Sequence, residues 1–331
     1  SIEDMIAEEE MVLTITHNGY IKRTSLSTYR SQRRGGRGVQ GASSREEDFV
    51  EHLFVANTHS YILFFTDKGK CYWVKVYDIP EGGRAAKGRA IVNLIGCEPD
   101  EKVSAFISVK EFNDDHYVVM ATEKGMVKKT KLSAYSNPRK KGIYAVEIRD
   151  GDKLIEARVS TGDNDILLGT RNGKSIRFSE EQIRASGRKT MGVKGITLSS
   201  EDDRLVGMLL IKREGTVLVA TEKGFGKRTE ISQYRAQKRG GKGVLTMKTT
   251  DKVGKMVTIK EVVDKDDLMI ITNQGVLIRL PVAQIRSIGR ATQGVKLIKL
   301  GEGTLVSSIT RIMSEEEEDE NNNTESTETK E

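Results

Sequence analysis

Two cysteines, Cys71 and Cys97, are all the thiols this 331-residue chain has, far apart and outside any CxxC spacing. That excludes a disulfide framework and a thiolate metal centre, and it leaves idle thiols in a reducing cytoplasm as the expectation. Four scattered histidines give no metal-ligand pattern, so neither a metal nor any other cofactor is expected. No apolar run reaches 18 residues, which removes a helical membrane crossing. The acidic start SIEDMIAEEE lacks the apolar region of a signal peptide, and its first residue, Ser1, reads as the beginning of a piece of a longer protein. Neither a GxxxxGK[ST] loop nor a GxSxG elbow occurs. Gly36, Gly38 and Gly41 satisfy GxGxxG, but arginines crowd the approach and no amphipathic helix follows. The chain offers no catalytic constellation.

Proline is scarce, at 4 residues, whereas glycine is abundant, at 32. Short apolar runs rich in Val, Ile, Leu and Thr separate the glycines, which points to strands joined by tight turns rather than to long helices. With 37% hydrophobic and 5% aromatic residues, the chain suits several small cores better than one thick core.

One register recurs six times: VLTITHNG, ILFFTDKG, VVMATEKG, ILLGTRNG, VLVATEKG and LMIITNQG. The glycines are Gly19, Gly69, Gly125, Gly173, Gly224 and Gly275, spaced by 50, 56, 48, 51 and 51 residues. Each follows a polar pair between two strand-like runs, the chemistry of a hairpin turn. A second set, Gly38, Gly88, Gly142, Gly192, Gly243 and Gly294, follows 19, 19, 17, 19, 19 and 19 residues later. Each unit has four strand-like runs. Together these predict an all-β, six-bladed propeller-like pinwheel with about four strands per blade. Pairing of Leu305–Ile312 with Met11–Ile15 is expected to close the ring.

Charge divides the chain into three parts. Residues 1–10 form an acidic segment with five acids and no base, and residues 314–331, with nine acids against Lys330, are expected to be a disordered acidic tail. The formal net charge is +6 over the whole chain, so the body, residues 11–313, carries about +19. Such a body calls for an acidic macromolecular partner, nucleic acid first.

Its bases gather at the second glycine of every unit. The first unit reads QRRGGRG, from Gln32 through Arg33, Arg34, Gly35, Gly36 and Arg37 to Gly38, preceded by Arg30. The others offer Arg84, Lys87 and Arg89; Arg139, Lys140 and Lys141; Arg188, Lys189 and Lys194; Lys238, Arg239 and Lys242; and Arg290 and Lys296. Bare glycine backbone lets amides approach a phosphate that the bases neutralise. Odd units add a strand pair, Lys22 and Arg23, Lys128 and Lys129, Lys227 and Arg228, which reads either as further DNA contacts or as solvated strand residues. Tyr29, Tyr135 and Tyr234 precede the odd loops and read as packing residues whose hydroxyls reach solvent.

QRRGGRG resembles the signature box of the gyrase A C-terminal domain of bacterial DNA gyrase, with Arg37 at the usual lysine, and the six repeats resemble that family's six-bladed β-pinwheel. The resemblance implies a domain without an active site that wraps duplex DNA around its rim, largely independently of sequence, so that the whole ATP-hydrolysing topoisomerase introduces negative supercoils. It implies as partners the remainder of gyrase A and the gyrase B protein in an A2B2 enzyme of the bacterial cytoplasm and nucleoid, with no membrane involved and the isolated domain monomeric. Two alternatives stand beside it: the C-terminal DNA-binding domain of topoisomerase IV, and a propeller serving as a protein-interaction platform.

Overall fold

The computed structural model describes residues 1–33, 43–45, 48–83, 85–212 and 215–312, with residues 30–33 and 43–45 as backbone alone. Each first-corner glycine ends a Thr-x-x-Gly turn and sits at φ between +76° and +90°, a conformation side chains with a Cβ resist. Its N–H donates to the threonine carbonyl at 3.0–3.1 Å. The N–H one residue later donates to the threonine Oγ1 at 3.1–3.3 Å in all six repeats. The recurring threonine is therefore a turn acceptor, and its hydroxyl oxygen completes a hairpin that backbone groups alone leave one bond short.

Six four-stranded antiparallel sheets follow, and in each the order is the same. In the first blade Val50–Asn57 pairs with Glu10–Thr16, which pairs with Tyr20–Ser25, which pairs with Arg89–Ala90. That last strand belongs to the second repeat. The same donation runs around the ring: Ile143–Tyr144 joins the second blade, Val193–Lys194 the third, Val244–Leu245 the fourth and Val295–Lys296 the fifth. Ser43–Arg45 of the first repeat completes the sixth by pairing with Val276–Pro281. A blade and a repeat are thus out of phase by one strand.

Ring closure differs from the expectation. Val306–Ile312 turns back onto Asp267–Thr272 of its own repeat, and Glu10–Thr16 is already paired on both sides. The last inner strand instead packs against the first, Val50–Asn57, while the donated strand seals the rim. IVNLIG, one of the strand-like runs, also differs: Ile91–Ile95 is a short helix ended by Gly96 at φ +63°.

Cores lie between blades. First strands bury both faces, as parallel stacking of sheets demands. Ile62 and Phe64 face Met11, Leu13 and Ile15 of the first blade, while Leu63 and Phe65 face Val118 and Met120 of the third. Inner strands of successive blades meet at the centre, where Phe54 stacks on Phe106 at 5.2 Å. The free edges left to the donated strands therefore form the outer rim.

Second-corner glycines are held against protein backbone. A Cβ on Gly192, at φ +82°, would stand 2.2 Å from the carbonyl oxygen of Val127, and one on Gly243, at φ +73°, 2.2 Å from that of Ser175. Gly192→Ala is expected to cost about 1–3 kcal/mol or more and to release Val193–Lys194 from its blade, read by denaturant unfolding and by amide exchange at Val193. Thr170→Val, which keeps the shape but strands the Lys174 N–H, is expected to cost about 1–2 kcal/mol, with Thr170→Ser close to the parent.

Candidate nucleic-acid interface

After the second strand of the second to sixth blades a short 3-10 turn sends the chain outward, whereas in the first blade the helix Leu26–Arg33 stands there, and in the second to fifth a side chain of the preceding blade holds the turn. Arg23 Nε donates to the Ile79 carbonyl at 2.6 Å, Trp73 Nε1 to that of Tyr135 at 2.9 Å, and Arg177 Nη1 to that of Tyr234 at 3.0 Å. Lys129 is 6% exposed and lies 3.6 Å from the carboxylate of Glu180, which is fully buried. The strand bases are thus not solvated: Lys22 also turns inward, onto the carbonyls of Gly83 and Ala86 at 2.9 Å each. A blade packed on both faces gives a strand lysine nowhere to go except along the neighbouring loop.

Two of the odd-repeat tyrosines pack as expected and differ only in where their hydroxyls end. Tyr135 and Tyr234 are buried, Tyr29 is half-buried, and the Tyr234 hydroxyl bonds to Thr246 Oγ1 instead of reaching solvent.

Consecutive basic loops are joined. Glu147 N–H donates to the Thr190 carbonyl at 3.0 Å, linking the third loop to the fourth. Gly240 N–H donates to Gly195 and Thr197 N–H to Gly241, at 2.8 and 2.9 Å, linking the fourth to the fifth, and Arg239 Nη1 adds a bond to the Lys194 carbonyl at 2.6 Å. Lys248 N–H donates to Thr292 at 3.1 Å and Arg290 to Leu245, linking the fifth to the sixth. The loops of the third to sixth repeats therefore form one band along the outer edge.

Along that band Arg139, Lys140, Lys141, Lys189, Lys194, Lys238, Lys242 and Lys296 are exposed, as are Lys87 and Arg89 in the second repeat. Lys87 extends over the Tyr20 ring, its Nζ 4.2 Å from the centroid. Arg188, Arg239 and Arg290 are half-buried, and the last two spend guanidinium donors on the adjoining loop. The first box, with residues 34–38 and the side chains of Arg30, Gln32 and Arg33, lies outside the described residues, as do Arg84 and the acidic tail.

Three exposed arginines on the band escaped the sequence reading: Arg184, Arg235 and Arg286. They follow Ile183, Tyr234 and Ile285 at one phase, the phase of Arg30 after Tyr29, so the repeat alignment held the signal. A second missed group lines the centre, where Glu51, His52, Glu156, Arg158, Lys260 and Arg311 interact across inner strands. Desolvation among the inner strands pushes His52 down to about 4 although its side chain is exposed, with Lys260, Arg158 and Arg311 adding to it and Glu51 opposing. Among the described residues no cluster of His, Cys, Asp and Glu has the makings of a metal site.

The family described as "DNA gyrase C-terminal domain, beta-propeller" matches in six segments, residues 10–57, 60–110, 116–161, 164–212, 215–262 and 266–312. The DNA gyrase A protein of Staphylococcus epidermidis is 47% identical over 317 residues, which is 95% of this chain and 35% of that protein, so the chain spans about a third of this curated relative. Among solved structures, the C-terminal domain of DNA topoisomerase IV superposes with a TM-score of 0.83 at 26% identity, covering 94% of this chain and 95% of the other. A DNA gyrase A C-terminal domain superposes with a TM-score of 0.70 at 24% identity, covering 92% and 100%. Six matched segments, one per repeat, and near-half identity along the chain mean that it belongs to the DNA gyrase C-terminal domain family of β-propellers.

Proposed function

We propose that this chain binds duplex DNA along its basic rim and wraps it, serving the supercoiling reaction of a gyrase without contributing catalytic residues of its own. The supporting observation is the joined band of exposed bases on the donated loops of the third to sixth repeats, with Lys87 and Arg89 exposed on the second. Phosphates recur along a duplex at short, regular intervals, so a curved row of cations meets them in sequence without reading bases. Bending the duplex costs several kcal/mol, up to about 10, and contacts distributed over several blades offset a cost that one patch would not. Membership of the family and kinship with gyrase A favour this role, with duplex DNA, the rest of gyrase A and the gyrase B protein as partners in the bacterial cytoplasm.

A topoisomerase IV-like role, binding DNA with less complete wrapping, is the second reading, favoured by the closer superposition on that enzyme's domain. The box separates the two readings. In a full-length gyrase A assembled with gyrase B, replacing Arg33, Arg34 and Arg37 with alanine should abolish negative supercoiling and spare relaxation if the protein wraps DNA as a gyrase. Loss of both activities, or of neither, counts against it.

Salt titration of the isolated domain on plasmid-length duplex tests binding itself. With six or more phosphates neutralised, log K should fall against log salt with a slope of about −5 or steeper. A shallow slope would instead mark a protein-interaction platform. The same domain incubated with relaxed plasmid and a nicking-closing enzyme should leave a change in linking number if wrapping is handed.

A further inference from the structure

Lys22, Lys128 and Lys227 each stand three residues after a first-corner glycine, on the first, third and fifth blades. Each sends its ammonium into the basic loop that the next repeat lays on that blade. Lys22 Nζ donates to the carbonyls of Gly83 and Ala86 at 2.9 Å. Lys128 Nζ donates to that of Arg188 at 2.6 Å, and also to that of Ala145 in its own repeat. Lys227 Nζ donates to Gly289 at 2.9 Å, to Arg290, and to both the carbonyl and the Oγ1 of Thr292 at 3.1 Å. Lys128 and Lys227 are 1% and 0% exposed, so these carbonyls take the place of water around a buried charge.

The receiving loops share one pattern: GRAAKG at 83–88, GRKTMG at 187–192 and GRATQG at 289–294. Counted back from the closing glycine, the accepting carbonyls fall at the Gly, Arg and Ala or Thr positions. Loops of odd repeats lack both the pattern and the lysine. At the equivalent strand position they meet Tyr72 or Ile176, whose side chains lie against Gly142 and Gly243. Burial holds Lys22 below the ordinary lysine range and brings Lys128 to about 7 and Lys227 to about 8, with Arg188 beside the former and Arg290 and Lys248 beside the latter adding to it. The carbonyls that accept from each amino group offset part of that cost, since hydrogen bonds to the charged form favour it.

In a trans peptide the N–H points opposite to the C=O. Carbonyls drawn in around the amino group therefore turn the following N–H groups away from it: that of Arg290 donates to Gln233 Oε1 at 3.1 Å, and those of Lys87, Lys189, Ala291 and Gln293 face outward. None of these four N–H groups donates to a protein acceptor among the described residues.

We propose that Lys22, Lys128 and Lys227 are positioning residues for the DNA-binding rim: each gathers the carbonyls of the following loop inward, so that the loop presents its N–H groups and basic side chains to the phosphate backbone. The proposal rests on the DNA-binding reading of the rim. It divides that rim into two classes, with even-repeat loops set in advance by a lysine of the preceding blade and the described odd-repeat loops, those of the third and fifth repeats, without one.

Lys22→Met, Lys128→Met and Lys227→Met, made singly in the full chain, test it by amide exchange without DNA and by duplex affinity across salt concentrations. Each is expected to release protection in its own receiving loop, leave the other loops unchanged and weaken duplex binding roughly three- to tenfold at fixed salt. At the half-buried Lys22, Lys22→Arg should restore both readouts, since a guanidinium can donate to the same carbonyls. This pair carries the test if the fully buried sites do not tolerate methionine. Unchanged loop exchange overturns the proposal, whether affinity is kept or falls with a salt slope lower by about one, the mark of a lysine touching phosphate directly. A parent chain that binds no duplex at low salt overturns the rim reading and this role with it. The exchange result, measured without DNA, tells that failure from a failure of the clamp.

Discussion

A strand of two or three residues, given by each repeat to the blade before it, is the contact on which the rim depends. It is held by few backbone hydrogen bonds, and it reaches the blade only because a glycine lies within touching distance of a carbonyl on the strand it joins. Backbone pairing does two jobs there. It covers the outer edge of every sheet, which would otherwise present unpaired donors and acceptors, and it fixes the start and end of each basic loop. The loops of the third to sixth repeats then bond to one another, so that bases from separate repeats share one edge.

Closing a ring of stacked sheets leaves almost no freedom for polar side chains on the second strands. First strands are buried on both faces, and the second strands carry bases that cannot reach water across the interface. These bases fasten the elements that arrive from the next repeat: Arg23, Lys129 and Arg177 hold the turn, while Lys22, Lys128 and Lys227 hold the loop. Charge therefore serves two ends in one molecule. Buried cations organise carbonyls, and exposed cations face solvent along the rim.

Much of the fold was legible before any coordinates. The period near 50, the Thr-x-x-Gly turns and the four short runs per unit come from local chemistry, since a turn needs its positive φ and its acceptor wherever it sits. The exposed bases of the loops were legible for the same reason: polar residues beside glycine, between apolar runs, belong at a surface. Arg184, Arg235 and Arg286 share the phase of Arg30, yet they stand ahead of the glycine corners, where no local chemistry marks them as part of the band. The inward course of Lys22 and Arg23 had no such signal. A strand alternation tells which face a side chain takes, and the partner on that face came from more than 50 residues away.

Sequence alone determined that there are six similar β units, where their hairpins turn, and that the bases cluster at one phase, because each of these follows from contacts between residues a few positions apart. Only the tertiary structure decided which blade a rim strand joins, how the ring closes and which cations face inward. Those outcomes depend on edges and faces that exist only once neighbouring blades are stacked, when a free strand edge must find a partner and a buried ammonium must find carbonyls.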